Sequence, residues 1–176
     1  MGLDMSLYRI PKTEYPLNMV LAANGFVKYV CDEDFPKLFT TWYEEHSDHL
    51  PSMKTIYDLA KLCPDYIFIK EVGYWRKANA IHKWFVDNIQ DGEDDCRFHR
   101  PVKSEDLNTL RLACKAVLKD RSKAEKLLPT MPGFFFGVYD YNDIYFDSIQ
   151  QTYDLCTKLL EEFEFDKYDL YYCSSW

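Results

Sequence analysis

Residues 74–86 constrain the fold most, because their apolar side chains recur with the period of an α-helix. At 100° per residue, His82 falls in the middle of the apolar face and Asn79 lies at its edge. A buried imidazole without hydrogen-bond partners costs about 1–3 kcal/mol. The pattern predicts a helix over residues 75–90 and a polar partner for His82 inside the fold. The apolar face consists of Trp75, Ala78, Ile81, Phe85, Val86 and Ile89.

The totals fit one globular domain of 176 residues, because 47% of the side chains are hydrophobic. Aromatic residues reach 17%, with 14 Tyr and 12 Phe, which indicates either pocket and interface lining or a small core filled by rings. No apolar run approaches the roughly 20 residues of a membrane span, and the first residues lack signal-peptide features. Six scattered cysteines without a C-x-x-C pair indicate a reduced protein. We expect a cytoplasmic protein that makes no membrane contact.

The negative charge is concentrated near the carboxyl end. Residues 138–176 hold nine acidic residues and two lysines, so they carry −7 of the net charge of −8. Direct nucleic-acid binding is not expected from such a chain, because phosphate contacts need clustered Lys and Arg. An acidic helix face could instead imitate nucleic acid towards a basic partner, or it could be an ordinary solvated face.

Periodicity and turn signals predict an α+β fold in a single domain over residues 1–176, with a short, mostly antiparallel sheet and about five helices. Asn24 and Gly25 form a hairpin signal before the second strand. Asp34 and Ser52 are predicted helix caps, and Pro64 is a predicted helix end. Strands are predicted at residues 3–10, 26–31, 66–72, 134–139 and 168–173. Helices are predicted at residues 35–46, 53–63, 75–90, from residue 104 and at 144–163.

The candidate chemistry centres on His82 and Asn79, which a helix would direct into one cavity. The alternative is a structural histidine bonded to a backbone carbonyl. Arg76 or Lys77 would reach an anion only at the first turn of this helix, where backbone amides are free. The acidic run at residues 91–96 lacks EF-hand spacing, and the histidine pair at residues 46 and 49 lacks further ligands. The sequence therefore predicts no metal and no cofactor.

The chain carries several distinctive strings: MGLDM at residues 1–5, YWRKANAIH at 74–82, DDC at 94–96, LLPT at 127–130, GFFFG at 133–137 and SSW at 174–176. Together they resemble a family of small proteins encoded by bacteriophages and prophages. The resemblance covers the first ten residues and roughly residues 70–176, which makes residues 11–69 an expected member-specific insertion. It implies a phage context, in which small accessory proteins often counter host defences.

Three functions follow as hypotheses. In the first, the protein is an anti-defence factor that binds and inhibits a host nuclease such as a CRISPR effector, with Asp147, Asp154 and Glu161 imitating nucleic acid. In the second, a pocket sequesters a small nucleotide signal by stacking and hydrogen bonds. In the third, the protein is a small enzyme that uses His82 as acid or base. A homo-oligomeric assembly is a further possibility. The pocket residues expected for the second hypothesis are Trp75, Arg76, Asn79, His82 and Phe135.

Overall fold

The computed structural model describes residues 2–30, 35–46, 53–63 and 67–176. They form an α+β fold, which confirms the predicted class, with seven α-helices in the described residues instead of about five. The antiparallel sheet has the strand order β2-β1-β3. The strands are β1 (Asp4–Pro11), β2 (Lys70–Arg76) and β3 (Tyr168–Ser175). The helices are α1 (Leu17–Val30), α2 (Phe35–His46), α3 (Lys54–Leu62), α4 (Asn79–Ile89), α5 (Ser104–Lys119), α6 (Ala124–Leu127) and α7 (Asp143–Glu162).

The chain divides into two compact units. The first consists of Met1–Tyr8 with Glu71–Trp176, and the second of Arg9–Lys70. The second unit nearly coincides with residues 11–69, the expected insertion. That this segment is specific to one family member stays a prediction.

In the first unit, β3 is buried on alternate residues, as the period of two in a strand requires, whereas three consecutive residues of β1 are buried. Met5 and Leu7 of β1 are fully buried, and so is Leu170 of β3, with Tyr172 almost fully buried beside it. Val102 adds an isolated antiparallel bridge to Leu170. These side chains anchor the apolar core on which the helices pack.

Helices α5 and α7 pack against one another and supply much of the remaining core. Asn142 caps α7, because its side chain accepts the backbone N–H of Tyr145 at 3.2 Å. Asp106 stabilises the start of α5 by accepting the backbone N–H of Lys103 at 2.9 Å. The buried face of α7 is formed by Tyr145, Phe146, Ile149, Thr152, Cys156 and Leu159.

In the second unit, α3 contacts both α1 and α2. Tyr43 of α2 and Tyr57 of α3 have ring centroids 4.8 Å apart, and the Tyr57 hydroxyl donates to Glu44 at 2.6 Å. The positions of α2 and α3 confirm the predicted helices at residues 35–46 and 53–63. Their expected signals at Asp34, Ser52 and Pro64 lie outside the described residues.

Two predicted strands are wrong or shifted. Residues 26–30 belong to helix α1, and residue 31 lies outside the described residues. Asn24 makes no hairpin turn, because its side-chain oxygen accepts the backbone N–H of Ile69 at 3.2 Å from within the helix. The strand predicted at residues 66–72 begins at Lys70 and continues to Arg76.

The strand predicted at residues 134–139 is also wrong, because these residues form no strand. Phe135 has a φ of +64° and Gly137 a φ of +98°, and both values are incompatible with extended backbone. The Tyr139 hydroxyl donates back to the Gly133 carbonyl at 2.8 Å. The bracketing glycines therefore close a compact turn that leaves Phe134 82% exposed.

Five cysteines in the described part of the chain are free thiols. In the same residues, no helix is long and apolar enough to cross a membrane.

We expect Ile149→Ala to lower the free energy of unfolding by about 2–5 kcal/mol, because the fully buried side chain would leave a cavity between α7 and the core. Ile144→Ala, five residues earlier on the same helix, is the matched control. Ile144 is 67% exposed, so its loss should change stability by less than about 0.5 kcal/mol. Urea-induced unfolding of both variants measures the difference, and equal effects would contradict this account of the core.

Candidate functional site

The predicted helix over residues 75–90 is in fact the end of a strand followed by a shorter helix. Trp75 and Arg76 belong to β2, where Trp75 points into the core and Arg76 is exposed. Lys77 has a φ of +58°, which breaks the chain direction before α4 begins at Asn79. From that point the predicted helical face is confirmed, since its apolar side chains and His82 are buried.

A cavity of about 450 Å³ opens where β2 passes into α4, and we call it the α4 pocket. Its wall comes from the start of α4, the turn after Phe136 and the first two turns of α7. Of the predicted pocket residues, it brings together Arg76 and Asn79, and it adds Asp147 from the predicted partner surface. The lining residues are Arg76, Lys77, Ala78, Asn79, Ala80, Gly137, Val138, Ile144, Tyr145, Asp147, Ser148 and Gln151.

Lys77 is placed by two glycines. A Cβ atom added to Gly137 would lie 3.1 Å from both the Cβ and the carbonyl oxygen of Lys77. A Cβ atom added to Gly2 would lie 3.3 Å from the Lys77 Cε. The left-handed backbone of a residue other than glycine costs about 1–3 kcal/mol. Among the described residues no acidic group lies within ion-pair distance of its ammonium, so the Lys77 charge is available to a ligand.

Arg76 contributes a second positive charge to the rim. Its Nε lies 3.9 Å from Asp4 Oδ1, and 62% of its side chain is exposed. The start of α4 lies at the same wall, where Ala78 accepts the N–H groups of Ile81 and His82. Since the amino end of a helix carries partial positive charge, this wall favours an anion.

Asn79 is committed to the protein itself. Its Nδ2 donates to the carbonyls of Phe136 at 3.2 Å and Val138 at 2.9 Å, and its Oδ1 accepts the N–H of Met131 at 3.4 Å. The amide therefore fixes the turn that walls the α4 pocket. Its role is to shape the pocket, not to read a ligand through free polar atoms.

His82 is enclosed in the core with 0% exposure. Its Nδ1 lies 2.7 Å from the Tyr172 hydroxyl, and its Nε2 lies 3.0 Å from Asp94 Oδ1. The contact with Asp94 does not have the geometry of a hydrogen bond. Among the described residues, neither His82 Nε2 nor Asp94 Oδ1 has a hydrogen-bond partner. The polar neighbours of His82 are thus the Tyr172 phenol and the Asp94 carboxylate, not a backbone carbonyl.

The electrostatics keep this group neutral. Burial lowers the pKa of His82, and the nearby Asp94 carboxylate opposes that shift only in part. Burial raises the pKa of Tyr172 well above its ordinary value. A protonated Tyr172 can donate to Nδ1, which leaves the imidazole proton on Nε2 facing Asp94.

Two other predicted pocket residues lie elsewhere. Trp75 is 1% exposed and its indole N–H donates to Thr152 at 2.9 Å, so it is a core residue. Phe135 is 52% exposed on the turn and does not line the cavity. The ring that packs against His82 is Phe136, at a centroid distance of 5.2 Å. Neither Trp75 nor Phe135 therefore lines the α4 pocket.

Asp147, Asp154 and Glu161 are exposed on α7, and we call them the acidic row. They are seven residues apart, which places them on one side of the helix at intervals of about 10.5 Å. Among the described residues none of them forms an ion pair, although Gln150 donates to Asp154 at 2.9 Å. The row therefore presents uncompensated negative charge to solvent.

The sequence reasoning missed Tyr172 and Asp94 as partners of His82, and Ser148 and Gln151 as pocket residues. A weak signal existed for Tyr172, since alternation in the last strand directs residues 170, 172 and 174 to one face. Nothing in the sequence indicated which face would meet His82.

We expect stability to fall between about pH 7 and about pH 5 because of His82. Its pKa in the folded state lies below the unfolded value of about 6.5, so the unfolded chain binds the extra proton first. His82→Gln should flatten the pH dependence in that window, as measured by urea unfolding at several pH values. An NMR titration of the wild-type imidazole protons gives the same answer without a variant, and a His82 midpoint above about 6.5 would contradict the assignment.

Comparisons of the chain with protein-family models, with curated proteins and with solved structures gave no match.

Proposed function

We propose that the protein works by binding, and that the α4 pocket holds a small anionic ligand of the nucleotide type. The observation that carries the proposal is the lining of the cavity, where Arg76 and Lys77 stand beside the amino end of α4. A phosphate group is the ligand that such a wall recognises, because two cations and oriented backbone amides meet there.

The positive charges of this wall are not fully neutralised by acidic groups of the protein. Lys77 has no acidic neighbour within ion-pair distance among the described residues, and Arg76 meets Asp4 only at 3.9 Å. A surface ion pair such as Arg76 with Asp4 contributes little to stability. A bound phosphate would neutralise the Arg76 charge, which Asp4 neutralises only in part.

Other lining residues of the pocket suit the rest of a nucleotide. Val138, Ile144 and Tyr145 offer apolar surface for a base. Ser148 already donates to the Tyr145 carbonyl at 2.7 Å, so its oxygen remains free to accept a hydrogen bond from a ligand. Asp147 repels phosphate and accepts from hydroxyl or amino groups, which orients the ligand. A volume of about 450 Å³ lies within the range of small-molecule pockets.

Sequestration without turnover agrees best with the position of His82. An acid or base must reach its substrate within hydrogen-bond distance, whereas this imidazole is enclosed between Tyr172 and Asp94. In the phage context that the sequence resemblance implies, we propose that the ligand is a nucleotide signal of a host defence system and that the protein withholds it.

We expect a nucleoside phosphate or a cyclic dinucleotide to bind with one-to-one stoichiometry in isothermal titration calorimetry. Arg76→Gln and Lys77→Asn should each weaken binding about tenfold to hundredfold, because each removes a charged phosphate contact. Asn tolerates the left-handed backbone at position 77, so Lys77→Asn removes the charge with little strain.

Lys115→Gln is the matched control, because Lys115 is exposed on α5 and does not line the pocket. The proposal is wrong if no member of a panel of nucleotides, cyclic dinucleotides and pyrophosphate binds, or if the control weakens binding as much as the pocket variants. Recovery of a chemically altered nucleotide would instead support an enzyme.

A second candidate function is inhibition of a host defence nuclease through the acidic row. The observation that favours it is the regular spacing of three exposed carboxylates that lack ion pairs among the described residues. Such a row spans about 21 Å along α7 and offers a basic nucleic-acid-binding groove the charge pattern it recognises.

For this candidate, native mass spectrometry of the protein purified from its host should show a partner complex. Asp154→Lys combined with Glu161→Lys should abolish it, because charge reversal replaces attraction by repulsion. The complex should also weaken steeply as NaCl rises from about 0.05 M to about 0.2 M. Glu125→Lys, an exposed acid outside the row, is the control. A complex that survives the double reversal would exclude the acidic row as its contact surface.

A further inference from the structure

The loop after α4 gathers three potential metal ligands that neither the α4 pocket nor the acidic row uses. Glu93, Asp95 and His99 each present one ligand atom, and these atoms all lie within 4.8 Å of one another. Metal bonds of about 2.0–2.2 Å to nitrogen and oxygen place neighbouring ligand atoms about 3–4 Å apart. The three groups are therefore near a coordinating arrangement before any ion binds.

Contacts to the end of α4 hold this loop in place. Gln90 is fully buried, and its Nε2 donates to the Asp95 carbonyl at 3.1 Å. The Glu93 N–H donates to the Gln90 carbonyl at 2.9 Å. Asp95 Oδ1 accepts the N–H of Arg97 and lies 2.9 Å from His99 Nε2. The Asp95 carboxylate and the loop backbone are thus held in place before an ion binds, which reduces the entropy that binding must overcome.

The loop also carries more negative charge than its described neighbours neutralise. Asp91, Glu93, Asp94 and Asp95 fall within five residues. Arg97 approaches Asp95 only at 3.8 Å with an exposed side chain.

An independent observation on the inner side of the loop also indicates negative charge that is not neutralised. Asp94 Oδ1 is buried and has no hydrogen-bond partner among the described residues. It faces the Nε2 of His82, a fully buried imidazole whose nitrogen is likewise without a well-aligned hydrogen bond. The Asp94 side chain is 22% exposed, so water solvates part of the carboxylate, but its buried oxygen lacks a hydrogen bond, which is costly. A cation bound to the residues on either side of Asp94 would offset part of that cost.

We propose that Glu93, Asp95 and His99 bind one divalent transition-metal ion, with Zn²⁺ as the best fit and water completing the coordination. One imidazole with two carboxylates suits zinc better than Mg²⁺ or Ca²⁺, which prefer oxygen ligands alone. On binding, the proton of His99 moves to Nδ1, and the Nε2 lone pair that this frees replaces the hydrogen bond to Asp95 with a metal bond. The ion would fasten the loop to the end of α4.

The test is calorimetric titration of the full, tag-free chain with ZnCl₂. One ion should bind, and Glu93→Gln and His99→Gln should each weaken the affinity at least about tenfold, the loss typical even of residues that only support a ligand. Glu93 is exposed, so Glu93→Gln leaves the packing intact. It therefore keeps the test valid even where His99→Gln disturbs the loop. Asp91→Asn is the matched control, because Asn suits its φ of +54° and Asp91 is not among the three ligands. Absence of zinc binding, or an equal loss in the control, would overturn the proposal.

Two nearby thiols provide the rival explanation. Cys96 is exposed on the same loop, and the Cys173 thiol donates to its carbonyl at 3.2 Å. Zinc binding should persist in the Cys96→Ser, Cys173→Ser double variant, and the Co²⁺ form of the wild type should lack thiolate charge-transfer absorption. Binding that is lost in the cysteine variant but retained in His99→Gln would show that the thiols hold the ion and would refute the carboxylate and imidazole site.

Discussion

One buried amide connects the start of α4 to a turn more than fifty residues away, and the candidate site depends on it. Asn79 satisfies two carbonyls and one N–H of the segment around Phe136. That segment forms no strand, so its buried polar groups have no sheet partners. Leaving them unpaired would cost about 1–3 kcal/mol each. The amide therefore lets an irregular turn close the wall of the α4 pocket.

His82 connects α4 to two further elements in the same way. It reaches Tyr172 on β3 and Asp94 on the loop after the helix. Polar contacts in a core are directional, whereas apolar packing tolerates small rotations. Two polar residues on the buried face of one helix thus fix its rotation and register. His82 is thus a core residue that positions α4, and both proposed sites lie at the ends of the helix.

The sequence predicted α2, α3, α5 and α7 well, because each runs for at least two turns with one apolar face. It failed at the turn after Gly133, where three aromatic residues favour a strand but Phe135 adopts left-handed backbone. It also missed the break before α4, since lysine at position 77 gives no signal of a positive φ. Arg76 and Asn79 line the same cavity because they are close in sequence, and their role as ligand-binding residues stays a prediction. Asp94 and Tyr172 could not be assigned, because their contact with His82 depends on tertiary packing.

The polarity of α4 is consistent with both proposed sites. Phosphate at its amino end and a cation beyond its carboxyl end each face the favourable end of the helix dipole. The dipole contributes only about 0.3–1 kcal/mol at an exposed terminus and therefore cannot select a ligand. Selection has to come from side chains. Lys77 and Arg76 supply positive charge at one end, and Glu93, Asp95 and His99 supply donor atoms at the other. In both proposals the short helix sets the polarity, and these five side chains select the ligand at each end.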